Sequence, residues 1–236
     1  MTEQQFVLPE WEISFEEYLG RVGANRDEFS RNLRLPDVAR VQKVLPLRDM
    51  AKIQSLIPLR YKLLATLIKN ITTLDGQKPF ANARIQLLKV DPNHCNIGQR
   101  FVYRENYVKL LEELGHLFKK FVVAPGIVEL GAYMAFGIDR SDAYAMAYYI
   151  PPIIEKHDGQ IVIMDGIHRN FIAKQIGSPI NAIVVENVAI PFPCSLHSWN
   201  EIEVISLAQK PKDINLRYFD LQQQLFRDLK YLGIDG

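Results

Sequence analysis

The chain predicts an α+β fold, with a helical N-terminal region followed by a mixed-sheet domain. Three observations carry this expectation. Apolar periodicity changes from helical to extended after Asp75-Gly76-Gln77-Lys78-Pro79, two apolar runs meet at Lys156-His157-Asp158-Gly159, and Ile161 to Gly177 reads as a strand, a tight glycine turn and a helix. The expected division is 1–80 as the helical region, 81–190 as the mixed-sheet domain with an insertion at about 122–149, and 191–236 as a helical tail.

Phe15 to Asn70 is rich in Leu, Arg, Glu and Lys, is punctuated by Pro36, Pro46 and Pro58, and reads as several short helices. Ser14 ahead of Phe15, Glu16 and Glu17 has the chemistry of an N-cap followed by first-turn acids. Within Arg60 to Asn70, Leu63, Leu64, Leu67 and Ile68 share one helical face, a pattern that marks packing rather than catalysis. Ala83 to Val90 alternates as a strand, Asp91-Pro92-Asn93 ends it, and Tyr107 to Phe121 has helical spacing. Val122 to Tyr149, with Gly126, Gly131 and Gly137, reads as an insertion of no assigned structure. Ile150 to Glu155 and Gln160 to Met164 form a hairpin through Asp158-Gly159. Asn170 to Ile176 continues the helix, Gly177-Ser178-Pro179 stops it, and Ala182 to Val188 is a buried strand. Helices are expected at Trp199 to Ala208 and Leu221 to Leu232.

With 48% hydrophobic and 23% charged residues, the composition is that of a globular protein, neither disordered nor membrane-embedded. Apolar stretches such as Asn181 to Phe192 are too short to cross a bilayer and are broken by Glu186 and Pro191, so no membrane partner is expected. Twenty-eight basic against twenty-seven acidic residues leave a formal charge of +1, which argues against a surface built throughout for polyanions and leaves room for a local basic patch. The start of the chain lacks the basic and apolar regions of a signal peptide, and its two cysteines form no disulfide framework; both features predict a cytoplasmic protein.

The chemistry concentrates at Met164-Asp165-Gly166-Ile167-His168-Arg169. Gly166 permits a sharp turn, and the first N–H groups of the following helix lack intrahelical partners, so they bind anions with help from the helix dipole. Arg169 adds a planar fork of donors, and His168 a donor that titrates near neutral pH. Asp165 has three readings: orienting a neighbouring donor, holding a divalent metal beside a nucleotide phosphate, or capping the helix. The bland alternative makes Asp165 a cap, Arg169 a surface residue and His168 a satisfied histidine.

The stretch from Pro151 to Val188 resembles the core of the ParB/sulfiredoxin superfamily, where a hairpin leads into a G-x-x-R or D-G-x-H-R turn, a helix and a further strand. Ala83 to Val90 and Tyr107 to Phe121 take the places of that family's first strand and helix, so the resemblance covers about Ala83 to Val188. It implies that Gly166, Ile167, His168 and Arg169 contact the phosphates of a nucleotide such as ATP, ADP or CTP, accompanied by Mg²⁺. Sulfiredoxins carry a catalytic cysteine where Ile167 stands, so their chemistry is not expected. Partition proteins follow this domain with a helix-turn-helix region, and the segment after Val188 shows no basic recognition helix. Free serine kinases use D-G-H-H-R, which the turn matches at four of five places. Glu105 is the nearest counterpart of their glutamate base.

Two further constellations weigh less. His94 and Cys95 with Cys194 and His197 offer zinc-ligand chemistry, but adjacent ligands seldom share one metal, and loop and core roles are expected. Arg100, Arg104 and Lys109 with Tyr103 and Tyr107 form a basic, aromatic strip that suits either nucleic acid or solvent. The expected function is therefore binding of a nucleotide or phosphorylated small molecule. An enzyme of this design would perform phosphoryl transfer or nucleotide or phosphodiester hydrolysis, with His168 on a phosphate oxygen and Asp165 orienting a hydroxyl or the metal. The alternative is a DNA-binding or nuclease-like protein that grips a backbone phosphate with the same turn.

Overall fold

The computed structural model describes residues 13–33, 36–106, 108 and 131–232. Four α-helices lie wholly within them: α1 (Phe15–Val22), α2 (Arg26–Leu33), α3 (Tyr61–Lys69) and α4 (Ile167–Gln175). The main strands are β1 (Ile13–Ser14), β2 (Lys43–Val44), β3 (Met50–Pro58), β4 (Arg84–Val90), β5 (Asn96–Ile97) and β6 (Phe101–Tyr103). They continue with β7 (Tyr133–Asp139), β8 (Tyr144–Tyr149), β9 (Ile153–His157), β10 (Gln160–Asp165), β11 (Ile180–Glu186) and β12 (Glu203–Ile205). The protein is a mixed α+β chain, and among the described residues no helix is long and apolar enough to cross a membrane. The expected helix at Tyr107 to Phe121 lies outside the described residues apart from Val108.

The described residues form two compact units. Of these residues, one unit draws on 73–106 and 151–227, the other on 13–33, 36–72, 131–150 and 228–232. The second unit holds a five-stranded sheet in the order β1-β2-β8-β7-β3. Ser14 caps α1 by accepting the Glu17 N–H at 3.1 Å, as its position suggests. The rings of Phe15, Tyr18 and Phe29 pack together, and Tyr18 meets Tyr148 of β8 through ring and hydroxyl.

The region before residue 80 is not only helical. Met50 to Pro58 forms a nine-residue strand antiparallel to β7, in register from Met50↔Asp139 to Pro58↔Tyr133. Where an insertion was expected, residues 133–149 supply β7 and β8, whose Met134, Phe136 and Met146 are fully buried. Gly137 is required in β7, because an added Cβ would fall on the Lys52 carbonyl of the bulged partner strand.

The first unit carries the site. Its sheet runs β4-β11-β9-β10-β5, with β4 antiparallel to β11, β11 parallel to β9, β9 antiparallel to β10 and β10 parallel to β5. Asp158 and Gly159 both take positive φ, 48° and 82°, so the hairpin between β9 and β10 closes with the two-residue turn that an Asp-Gly pair favours. Ile97, Val102, Ile154, Ile163, Ile167 and Ala182 form its core with Trp199 and Phe219. Each fully buried isoleucine contributes about 2 kcal/mol by leaving water.

The C-terminal segment is not the pair of helices expected at Trp199 to Ala208 and Leu221 to Leu232. Trp199–Glu201 and Leu207–Gln209 are single 3₁₀ turns, with β12 between them pairing Val204 to Val102 in parallel. Gln223–Leu225 and Lys230–Leu232 are likewise single turns. Tertiary bonds decide this. A ladder to β6 and a capping box at each of the turns that begin at Trp199 and Leu207 satisfy the backbone locally and leave nothing for a continuous helix to gain.

Candidate functional site

β10 ends at Asp165, and the chain turns through Gly166 at φ 85°, ψ 33° before α4 begins. Only glycine suits this position. A Cβ would lie 2.8 Å from Pro152 Cβ and 3.0 Å from Arg169 Nη2, quite apart from the strain of a left-handed backbone. Ile167 points its side chain into the core at 5% exposure, which fixes the helix start against the sheet and leaves Ile167 only its backbone N–H for a ligand. The first intrahelical bond is Asn170 N–H to Gly166 O at 3.0 Å. The N–H groups of Ile167 and His168 precede it, so they belong to the positive end of the helix.

Asp165 does not cap α4, since Gly166 occupies the N-cap position without a side-chain cap bond. Its Oδ2 instead accepts Arg169 Nη2 at 3.0 Å, with both side chains largely buried. That bond holds one arm of the guanidinium fork, which fits the donor-orienting reading of Asp165. Asp165 offsets part of the Arg169 charge.

His168 has a different part from the one its charge suggested. Its Nε2 accepts the Tyr103 backbone N–H at 3.0 Å. A backbone N–H can only donate, so Nε2 carries no proton and the neutral ring holds its hydrogen on Nδ1. Burial, followed by the Lys210 and Arg169 charges, pushes the His168 pKa down to about 4. Near neutral pH it is a neutral donor through Nδ1–H and an anchor for β6, not a cation for phosphate.

Lys210 was not anticipated. Its Nζ lies 5.2 Å from the Tyr103 ring centroid, and that ring lies 5.8 Å from the His168 ring. Asn170, two residues after His168 in α4, is 0% exposed. Its Nδ2 donates to Gly166 O at 3.0 Å, while its Oδ1 has no partner among the described residues. A buried acceptor left unmatched costs about 1–3 kcal/mol, so the turn contains a position that a donor would stabilise.

Other singled-out residues have structural partners. Glu105 is exposed, and its carboxylate accepts Ser206 Oγ at 2.7 Å and the Leu207 N–H at 2.7 Å, bonds that hold its pKa below the usual carboxylate range. That occupation argues against a free catalytic base. Arg100 donates through Nε to Tyr218 O at 3.1 Å and lies over Phe219, whose ring His197 stacks on with centroids 3.7 Å apart. Tyr107 and Lys109 lie outside the described residues. Cys95 and Cys194 are buried thiols, their pKa values pushed up to about 11 and about 12 mainly by burial. No three His, Cys, Asp or Glu side chains group as metal ligands among the described residues.

A buried charge cluster lies outside the turn. Glu155 of β9 is 0% exposed, accepts Arg227 Nε at 3.0 Å and Nη2 at 2.9 Å, and meets His157 Nε2 at 2.7 Å. The glutamate that ends the apolar run Ile150 to Glu155 was the available signal, because a charge buried with such a run needs a partner. No family model, curated protein or solved structure matches this chain.

Proposed function

We propose that the Asp165 to Arg169 turn binds the phosphate of a nucleotide or phosphorylated small molecule, in a chain of the ParB/sulfiredoxin kind. The observation that supports this most is the strand-to-helix junction at Gly166. The left-handed glycine starts α4 so that the N–H groups of Ile167 and His168 share its end with the Arg169 fork, which Asp165 holds at 3.0 Å. A phosphate oxygen set there meets backbone donors, the helix dipole and a guanidinium together.

In this reading Arg169 contacts the anion, and Asp165 orients Arg169. His168 offers its neutral Nδ1–H, and Gly166 lets the backbone approach. ATP, ADP or CTP with Mg²⁺ are the candidate ligands, and phosphoryl transfer or hydrolysis the candidate chemistry; positioning and charge neutralisation would supply most of it.

The test is a thermal-shift panel of ATP, ADP, CTP and GTP, with and without Mg²⁺, on the wild type and on Arg169→Lys, which keeps a charge beside Asp165. A ligand that binds only the folded protein raises its melting temperature by mass action. We expect at least one nucleotide to shift the wild type, and a smaller shift in the variant relative to its own unliganded value. Equal shifts, or none in the wild type, would remove the turn from consideration. Binding to an oligonucleotide instead, falling steeply with salt, would favour the DNA-binding alternative.

A further inference from the structure

We propose that Lys210 is a second phosphate-contacting residue of the α4 site, delivered by the C-terminal segment and held there by Glu105. This rests on the reading of the Asp165 to Arg169 turn as a phosphate site.

Lys210 follows the short turn Leu207–Gln209 and closes it, its N–H donating to Leu207 O at 3.1 Å. Ser206 and Gln209 form a capping box around that turn. Glu105, two residues past the end of β6 and about a hundred residues earlier, takes both the Ser206 hydroxyl and the Leu207 N–H. The lysine backbone is thus pinned to the segment that carries Tyr103. From there the ammonium reaches the Tyr103 ring, and Tyr103 in turn places its N–H on His168, in the first turn of α4. Lys210, Tyr103 and His168 therefore form a row of contacts that ends on a side chain of the first turn of α4.

Two features make that row fit a phosphate. Asp165 offsets part of the Arg169 charge, so a second cation adds net positive charge for a dianion, and a lysine on a flexible stem suits a phosphate oxygen whose position varies. Independently, the buried Asn170 amide lies under the same turn, because its Nδ2 is bonded to Gly166 O, and its Oδ1 lacks a donor among the described residues. A polar atom left without a donor beneath the helix start marks this end of α4 as unlike an ordinary packed helix terminus.

The test measures binding of inorganic phosphate and of ADP by calorimetry to the full chain, for wild type, Lys210→Gln, Lys210→Arg, Glu105→Ala and the exposed control Lys212→Gln. We expect Lys210→Gln to weaken binding about tenfold, the loss of one charge-assisted hydrogen bond. Lys210→Arg should recover most of the affinity, Lys212→Gln should bind as wild type, and the unliganded melting temperature of each variant checks that the protein compared is folded. Glu105 is a positioning residue, so Glu105→Ala should weaken binding less, and Glu105→Ala combined with Lys210→Gln no further than Lys210→Gln alone. If the wild type binds phosphate or ADP and Lys210→Gln binds equally well, Lys210 has no such role although the turn does. If the wild type binds neither, the phosphate reading of the turn fails and the role of Lys210 with it.

Discussion

His168 shows how one hydrogen bond reassigns a residue. Its spacing in the D-G-x-H-R turn marks it as a phosphate donor, yet the Tyr103 N–H on Nε2 makes the neutral ring the native form. The consequence for stability has a definite sign. Native His168 takes a proton only near pH 4, whereas the unfolded chain takes one near the ordinary histidine value of 6.5. Between those values the unfolded state binds more protons, so this contribution is complete above about pH 6.5 and is lost as pH falls towards 4. His168→Gln keeps an acceptor where Nε2 stood but has no proton to gain. Denaturant titrations at pH 7 should place it close to wild type, while His168→Ala, which leaves the Tyr103 N–H unmatched, loses about 1–3 kcal/mol. On acidification the wild type should lose stability faster than His168→Gln. Parallel curves would show that the native ring is not held neutral.

Elements whose chemistry is local were legible in the sequence. The Ser14 cap, the face of α3 with Leu64, Leu67 and Ile68 buried, the Asp158-Gly159 hairpin and the Gly166 junction each follow from residues within a few positions of one another. The C-terminal turns were not legible, because what stops a helix there is a ladder to β6 and a carboxylate at Glu105, both far away in sequence. The same distance hid the clasp between β9 and the C-terminal segment. Arg227 brings its guanidinium to Glu155 and also donates to the carbonyls of Leu225, Ile190 and Pro191. Arg227→Met should therefore cost about 3–5 kcal/mol, since it strands a buried carboxylate. The double variant Glu155→Leu with Arg227→Met removes both charges and should recover much of that loss. Urea unfolding of the three proteins checks this; a single variant no less stable than the double would mean the pair is not held as a buried unit.

At the scale of the whole molecule, the path of the chain between its two units was the least legible property. β3 finds its partner β7 about eighty residues later, after the chain has already begun the other unit. No local period announces such a pairing: Met50 to Pro58 reads as helix-compatible residues, and Tyr133 to Tyr149 as small and aromatic residues without an assignment, until the two are laid side by side. Gly137 is intelligible only then, as the place where the β3 carbonyl comes too close for a side chain. A fragment cut at 81 and 190, where the periodicity alone would divide the chain, tests this interleaving. It keeps β7 and β8 but removes β3, which pairs with β7, and β2, which pairs with β8. The sheet built around Met134, Phe136 and Met146 would then present apolar strands with unpaired edges to water, the condition that favours aggregation. The fragment also lacks Arg227, so Glu155 would be buried without its partner. It should accumulate in the insoluble fraction or elute as high-mass aggregates on size exclusion, while the full chain elutes as a discrete species. A fragment that stays soluble, with the sharp methyl resonances of a packed core, would mean that the 81–190 segment needs neither the N-terminal strands nor the C-terminal clasp.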